Sequence, residues 1–308
     1  MSSLRFLTNS FICSEYFNLF QSQVFYKLHA SRDSVYFELV RNNKTLACAH
    51  FTPSDAFGTW RSPARGTFSG ISFAQGVQLR ELSYFIGEIE STLQDLGAKA
   101  IEVLPAPQSH NGAAFSTQVY ILRSFGFEIS RCDINQSLQV DARSLLERMS
   151  YGNRKRLKKC QREGFFVGQV PLSKLGRVYE TLRINREAKG NSLSMTLTEL
   201  EMMAEKFPNE FTLFGCGDAE RFISAAICLE VSKEILYVFY WGDRPEYSTY
   251  SPVVPLANEI YNFAQGRGIS ILDVGTSTLD KEPNFGLIEF KNGLGFSESL
   301  KVSLRKTF

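Results

Sequence analysis

The sequence predicts an α/β (α+β) chain that carries two copies of one domain. Strand-like and helix-like stretches alternate along most of its length, the pattern of sheets packed against helices. One succession of elements occurs twice: "LGAKAIEVLPAP…YILRSFGFEIS" in the first half matches "GRGISILDVGTS…IEFKNGLGFSES" in the second. Each copy is a helix end with glycine, a buried strand, a loop, a short helix, then Gly-Phe and a strand. A chain of 308 residues also has room for two domains of about 150 residues each. The boundary is expected near Asp141–Gly152, giving domains 1–145 and 146–308. No Pro/Ser-rich linker lies there, so the domains should pack together.

The elements follow in order. "VYFELV" and "TLACAHF" read as two strands joined by the turn "RNNK", a hairpin. "RSPARGTFSGISF" reads as loop and short strand. Leu79, Leu82, Ile86, Ile89, Leu93 and Leu96 recur at steps of three and four, the mark of an amphipathic helix, and Gly97 stops it. "AIEVL" is a buried-type strand ended by "PAP". A short helix ending in "YILRSFGFEIS" and a strand at "SLQV" complete the first half. The second half opens with the basic helix "NRKRLKKCQREG" and two further helical stretches up to about Lys206. Strands follow at "EFTLFGC", "FISAAICLEV" and "EILYVFYWGD". The next helix carries Val253, Leu256, Ala257, Ile260, Phe263 and Ala264 on one face and closes at "GRG". The strand "ISILDVG", a helix over "NFGLIEFKNGLGF" and the strand "SLKVSLRK" end the chain.

Composition narrows the function. Hydrophobic residues make up 44% and charged residues 21%, ordinary globular values, so disorder is not expected. A net charge of +2 argues against a dedicated nucleic-acid coat and leaves room for a local basic patch. The six cysteines form no CxxC pair and read as free thiols in a reducing compartment. The three histidines lack metal-ligand spacing, so no metal site is expected. No signal peptide and no membrane-spanning run are read, so a cytoplasmic protein is expected.

"NFGLIEFKNGLGF" resembles the closing helix of GNAT N-acyltransferases. Their pattern is Asn, two or three residues, an aliphatic pair, Tyr, a charged stretch, then Leu-Gly-Phe. The second half is more similar still to the FemAB-like branch, the aminoacyltransferases of peptidoglycan cross-bridges and their relatives. "YGNRKRLKKCQREGFFV" resembles the basic helix that opens their second domain. "WGDRPEYSTYSPVVPLANEIYNFAQGRGISILDVGTS" resembles their strand, Tyr-containing loop, helix and Gly-ending strand. "FGLIEFKNGLGF" resembles their Gly-x-x-x-Phe-Lys segment. The resemblance covers residues 30–308 in order of elements and is specific across Tyr151–Phe296. It implies two tandem GNAT-type domains, each a mixed, mostly antiparallel sheet flanked by helices, with the second as the active one. It implies transfer of an activated acyl or aminoacyl group to an amine, in cell wall biogenesis. The implied donor is acyl-CoA or aminoacyl-tRNA, with tRNA as donor carrier and no covalently bound cofactor. The implied acceptor is a small-molecule or nucleotide-linked amine, bound with help from the first domain. Two departures stand out. The long helical hairpin often inserted in the second domain of cross-bridge enzymes is absent. "RPEYSTYSPVV" also lacks the glycines that let a loop's N–H groups approach a coenzyme A pyrophosphate. A coenzyme-A-dependent N-acyltransferase and a non-catalytic GNAT-fold binding protein are the alternatives; the oligomeric state is open, and a monomer is compatible.

Candidate site residues follow from the same segments. Lys291 takes the position where many GNAT enzymes place a tyrosine acid, whereas the matching residue of the first copy is Leu122. A fixed ammonium can stabilise a tetrahedral oxyanion or a leaving group; the alternative is a solvated helix lysine. Asp273, inside a buried-type strand, is the candidate base or orienting carboxylate, or simply a partner for backbone or a lysine. Thr276 and Ser277 lie at that strand's end, where ligands gather in α/β folds. Alternation puts Tyr237, Phe239 and Trp241 on one strand face and Val238 and Tyr240 on the other. Tyr240, Trp241, Asp243 and Arg244 are candidates to line a donor cleft, with packing as the alternative for the rings. Arg154, Arg156 and Lys159, from a cluster of six cations, are candidates to bind phosphate. The alternative for them is a solvated charged helix.

Overall fold

The computed structural model describes residues 4–12, 17–218, 221–279 and 282–308. In chain order its elements are β1 (Leu4–Thr8), α1 (Gln23–His29), β2 (Val35–Arg41), β3 (Lys44–Pro53), β4 (Thr59–Ser62), β5 (Ser72–Phe73), α2 (Leu79–Asp95), β6 (Ala100–Val103), α3 (Gly112–Ser124) and β7 (Glu128–Gln139). There follow α4 (Leu145–Arg148), α5 (Tyr151–Arg162), β8 (Phe166–Val170), α6 (Leu175–Glu187), α7 (Leu197–Lys206), β9 (Phe211–Gly217), β10 (Phe222–Ser232) and β11 (Ile235–Asp243). The last are α8 (Val253–Gly266), β12 (Ile271–Thr276), β13 (Thr278–Leu279), β14 (Glu282–Pro283), α9 (Phe285–Asn292) and β15 (Ser297–Thr307). No helix among the described residues is long and apolar enough to cross a membrane. Cys13 lies outside the described residues; the other five cysteines are free.

Two compact units emerge: residues 1–134 with 299–308, and residues 135–298. The sequence reading divided the chain at 145/146 and kept its end in the second domain. The difference has two sources. "SLQV" is not a separate strand but the end of the long β7. Leu304–Thr307 of β15 pair with Ala100–Val103 of β6, which ties the last strand to the first unit.

The first unit is a sheet in the order β1-β2-β3-β4-β6-β15, antiparallel except for β4 beside β6. The "RNNK" hairpin forms as expected, with Asn42 and Asn43 both left-handed (φ 49° and 57°), the backbone a tight hairpin needs. Helix α2 is started by a capping box between Gln78 and Glu81. It lays Leu82, Phe85, Ile86, Ile89 and Leu93 on Phe37, Leu39, Ala47, Ala49, Phe51, Ile101 and Val103. Leu79, the first residue of α2, and Leu96, the residue after its last, counted on the same stripe, are exposed. Burying each large side chain contributes about 1.5–3 kcal/mol, so truncating Phe85 to Ala would cost about 3–5 kcal/mol.

The second unit is a sheet in the order β12-β11-β10-β9-β8, with the end of β7 paired to β12. Only β11 and β12 run parallel. Helix α8 covers one face, packing Val254, Leu256, Ala257, Ile260, Tyr261 and Ala264 on Phe214, Ala226, Cys228, Leu236, Val238, Leu272 and Val274. Both sheets are mixed and mostly antiparallel with flanking helices, as the resemblance implied. The sequence reading missed β1, α1 and β8. Strand β8 alternates exposed and buried residues weakly and is interrupted by Gly168, so its signal is short.

Candidate functional site

The repeat is visible at the last helix of each copy. The Phe127 N–H donates to the Leu122 carbonyl (3.1 Å), and the Phe296 N–H donates to the Lys291 carbonyl (3.2 Å). These are the same helix stop, made possible by Gly126 (φ 86°) and Gly295 (φ 98°) in the left-handed region. The two copies then diverge. In the first unit β4 and β6 pair over four consecutive residues, and the Leu104 N–H extends the ladder to the Ser62 carbonyl. Leu122 belongs to that unit's apolar core. In the second unit β11 and β12 pair only at Ile235–Tyr237 with Ile271–Asp273. Beyond Tyr237 and Asp273 the two strands form no further pair among the described residues, which leaves an opening between parallel neighbours.

Two bulges shape that opening. Val238 pairs with Cys228 and Tyr240 with Ile227, so Phe239 is an extra, unpaired residue. An extra residue reverses the alternation beyond it. The expected grouping of Tyr237, Phe239 and Trp241 is therefore corrected. Val238 and Trp241 share the apolar core, with Trp241 beside Phe290 and Phe296. Tyr240 instead reaches the Ser194 hydroxyl, between α6 and α7. Burial pushes the Tyr240 phenol up. The second bulge is in β12. Asp273 pairs with Ser137 and Thr276 with Asn135, so β12 spends three steps where β7 spends two. Gly275 (φ 73°) absorbs the extra residue, a conformation that costs other residues about 1–2 kcal/mol.

Lys291 meets this second bulge. Asn284 starts α9 by accepting the Leu287 N–H (3.1 Å), and the helix aims Lys291 inward. Its Nζ donates to the carbonyls of Gly275 (2.9 Å) and Thr276 (3.1 Å). The residue is 1% exposed, so it is not the solvated helix lysine that sequence alone allowed. Burial pushes the Lys291 ammonium down to about 7; the Asp273 carboxylate works against this, and Arg186 adds to it. Asp273 is fully buried and fixed at both oxygens, by the Gly275 N–H (2.6 Å) and the Asn135 side-chain amide (3.0 Å).

The structure brings Lys291, Asp273 and Thr276 together, with Ser277 close by. The Ser277 hydroxyl donates to Gln136 (2.5 Å), whose amide reaches Asn292 (2.7 Å), next to Lys291. Arg244 is turned to other work, donating to the Phe222 carbonyl (3.0 Å) at 3.9 Å from Glu246. Arg154, Arg156 and Lys159 are exposed on α5. Arg156 holds Asn153, and Lys159 holds the Thr249 carbonyl and covers the Tyr250 ring. None of the six α5 cations has an ion-pair partner among the described residues. Five of them, all but Arg156, fall on an arc of roughly 140° at about 100° per residue, opposite buried Asn153, Leu157 and Cys160.

Sequence reasoning missed Asn135, Gln136, Asn185, Arg186, Lys189 and Ser194. Asn185 donates to the Asp243 carbonyl (2.6 Å) and carboxylate (3.2 Å) at the end of β11. It is packed so closely against Gly242 that a Cβ there would lie 2.6 Å from it. Burial pushes the Asp243 carboxyl up. One signal was available: "NQS" at 135–137 is a polar run inside a strand whose other side must be core.

No protein-family model matches the chain. No curated protein matches it either. Solved structures do. FemX superposes with a TM-score of 0.74 over 97% of this chain and 94% of its own, at 14% identity. L-PGS from Bacillus licheniformis gives a TM-score of 0.59 over 84% and 80% of the two chains, at 11% identity. A tandem GNAT protein from the clavulanic acid biosynthesis pathway gives 0.55 over 89% and 82%, at 10% identity. The chain therefore has the tandem GNAT-type fold, in the form that FemX takes it.

Proposed function

We propose that the second unit is an amide-forming acyltransferase that moves an activated aminoacyl or acyl group onto an amine. The observation that carries this reading is Lys291: a buried ammonium, anchored by two carbonyls, with its pKa near neutrality, beside the β11–β12 opening. The two carbonyls take two of its three N–H bonds and leave one. In the reaction the acceptor amine attacks the donor's carbonyl carbon. A C–N bond forms and the carbonyl oxygen becomes an oxyanion. Collapse breaks the bond to the leaving oxygen or sulfur. The free N–H of Lys291 stabilises the developing negative charge, and a group with a pKa of about 7 can pass its proton to the leaving atom. The proton shed by the acceptor amine goes to solvent. Asp273 acts as a positioning residue, since its carboxylate favours the charged form of Lys291.

The donor favoured by this reading is an aminoacyl ester on tRNA. The unpaired cations of α5 supply a face for phosphates. The first turn of α8, which would have to cradle a coenzyme A pyrophosphate, has Pro252 at its cap and Pro255 as its third residue, and neither offers an N–H. The acceptor is a small-molecule or nucleotide-linked amine, met in the cytoplasm. The test is turnover with charged tRNA and with acyl-CoA against a panel of amines. Lys291→Met should lower kcat by about 10²–10³ with the fold retained; unchanged turnover would sink the role. Thermal stabilisation by coenzyme A, without response to tRNA, would move the donor to an acyl thioester.

A further inference from the structure

We propose that Arg186 and Lys189, at the end of α6, form an anion subsite beside Lys291 that takes a carboxylate or phosphate group of the substrate. The acyl-transfer reading enters only in calling the anion's bearer a substrate.

The last turn of α6 holds its cations unequally. Arg183 is neutralised, with Glu180 at 2.8 Å and Glu187 at 2.5 Å. Arg186, one turn nearer the helix end, is half-buried, and its side chain makes no hydrogen bond or ion pair among the described residues. The Lys189 Nζ donates to the Asn185 side-chain oxygen Oδ1 (3.2 Å) rather than to a carboxylate. Asn185 in turn holds Asp243 at the end of β11. The positive field of Arg186 reaches Lys189, Lys291 and Tyr240 and adds a downward pull on each, beneath the larger effect of burial, which lowers the two lysines and raises the Tyr240 phenol. Arg186 thus acts on Lys189, just past the end of its own helix, and on Lys291 of α9, beside the β11–β12 opening.

Such a cluster is costly by itself, since like charges at short range oppose each other. The fold offsets it for the two lysines, through Asp243 for Lys189 and Asp273 for Lys291, but gives Arg186 no carboxylate of its own among the described residues. Asp273 is already committed to Gly275 and Asn135. Asp243 attracts Lys189, while burial pushes its own carboxyl up, and its side chain is held by Asn185. A cation at a helix end can instead serve the helix dipole by bonding the last carbonyls. Arg186 makes no such bond, so that simpler role does not account for it. An arginine with its fork free, beside a lysine, is suited to a planar or tetrahedral oxyanion.

The test uses the full chain with inorganic phosphate and with acetate at constant ionic strength. Isothermal titration calorimetry measures binding, and ¹³C NMR of the lysine Cε carbons follows the Lys291 titration, assigned with Lys291→Met. One probe should bind saturably, with affinity falling about tenfold to a hundredfold in Arg186→Gln and less in Lys189→Gln. The Lys291 midpoint should rise when the probe saturates the protein, and should rise in Arg186→Gln with no probe at all. A merely structural role for Arg186 would move neither. Saturation by phosphate alone identifies a phosphate-bearing ligand, and by acetate alone a carboxylate-bearing one. Weak, non-saturable effects of both probes, equal in wild type and Arg186→Gln, overturn the subsite. Should Arg186→Gln not fold, Arg186→Lys keeps the charge and loses the fork; affinity equal to wild type in that variant would equally overturn it. Saturable binding without turnover on any donor would leave the subsite standing and remove the transfer reading; turnover without saturable binding would do the reverse.

Discussion

Lys291 should leave a signature in stability that needs no substrate. Its ordinary pKa is 10.5, and in the folded chain it is about 7. Below pH 7 the group is charged in folded and unfolded chain alike, and the full cost of burying the charge is present. Above 10.5 it is neutral in both, and the cost is gone. Between these values the unfolded chain binds more protons, so stability rises with pH, by up to about 1.4 kcal/mol per pH unit. At pH 7 the cost amounts to about 4 kcal/mol. Lys291→Met removes this dependence. It also strands the Gly275 and Thr276 carbonyls, at about 1–3 kcal/mol each if they find no water. That second loss does not vary with pH, so the difference between variant and wild type isolates the charge. From pH 7 to 9.5 the variant's relative stability should fall by about 3 kcal/mol. The assay is urea unfolding at a series of pH values. Trp60 belongs to the first unit and Trp241 to the second. In a Trp60→Phe background, Trp241 fluorescence follows the second unit alone. Parallel pH curves for the wild type and the Lys291→Met variant would refute the depressed pKa, and with it the proton-donor role.

Three further outcomes follow from the same geometry. Asp273→Asn removes the charge that supports protonated Lys291, so the Lys291 pKa should drop further and the alkaline limb of kcat/KM should move to lower pH; an unmoved limb contradicts the electrostatic link. Gly275→Ala should destabilise by about 1–2 kcal/mol through its left-handed backbone alone, because its Cβ would meet only the Tyr237 ring and hydroxyl at ordinary contact, 3.6 Å or more; an unchanged urea midpoint counts against the bulge. Replacing Arg154, Arg156 and Lys159 together by Gln should raise KM for a tRNA donor and flatten its salt dependence by a slope of roughly two to three, leaving kcat in place; equal KM values would remove α5 from donor binding.

Periodicity and glycine placement carried much of this protein by themselves. Leu82 to Leu93 dictate α2, the alternation of "VYFELV" and "TLACAHF" dictates a hairpin, and Gly-Phe at 126–127 and 295–296 marks the same helix stop twice. These are local signals, written in the side chains of consecutive residues. The comparison of Leu122 with Lys291 also needed only the sequence, and it singled out the second copy. What Lys291 does was not legible there, because a lysine in a short helix reads the same whether it faces water or core. Its burial is decided by β12, where one extra residue at Val274–Gly275 turns two carbonyls toward the helix. The bulge at Phe239 likewise reversed the expected faces of Tyr240 and Trp241, since a single unpaired residue leaves the alternating pattern intact while shifting its meaning. Asn135, Arg186 and Lys189 come from β7 and the end of α6, and only folding sets them beside residues 240–291. The sequence by itself therefore determined most of the elements, their repetition and the residue to suspect. The tertiary structure decided which charges are buried and which face one another, because burial and field depend on neighbours that are distant along the chain.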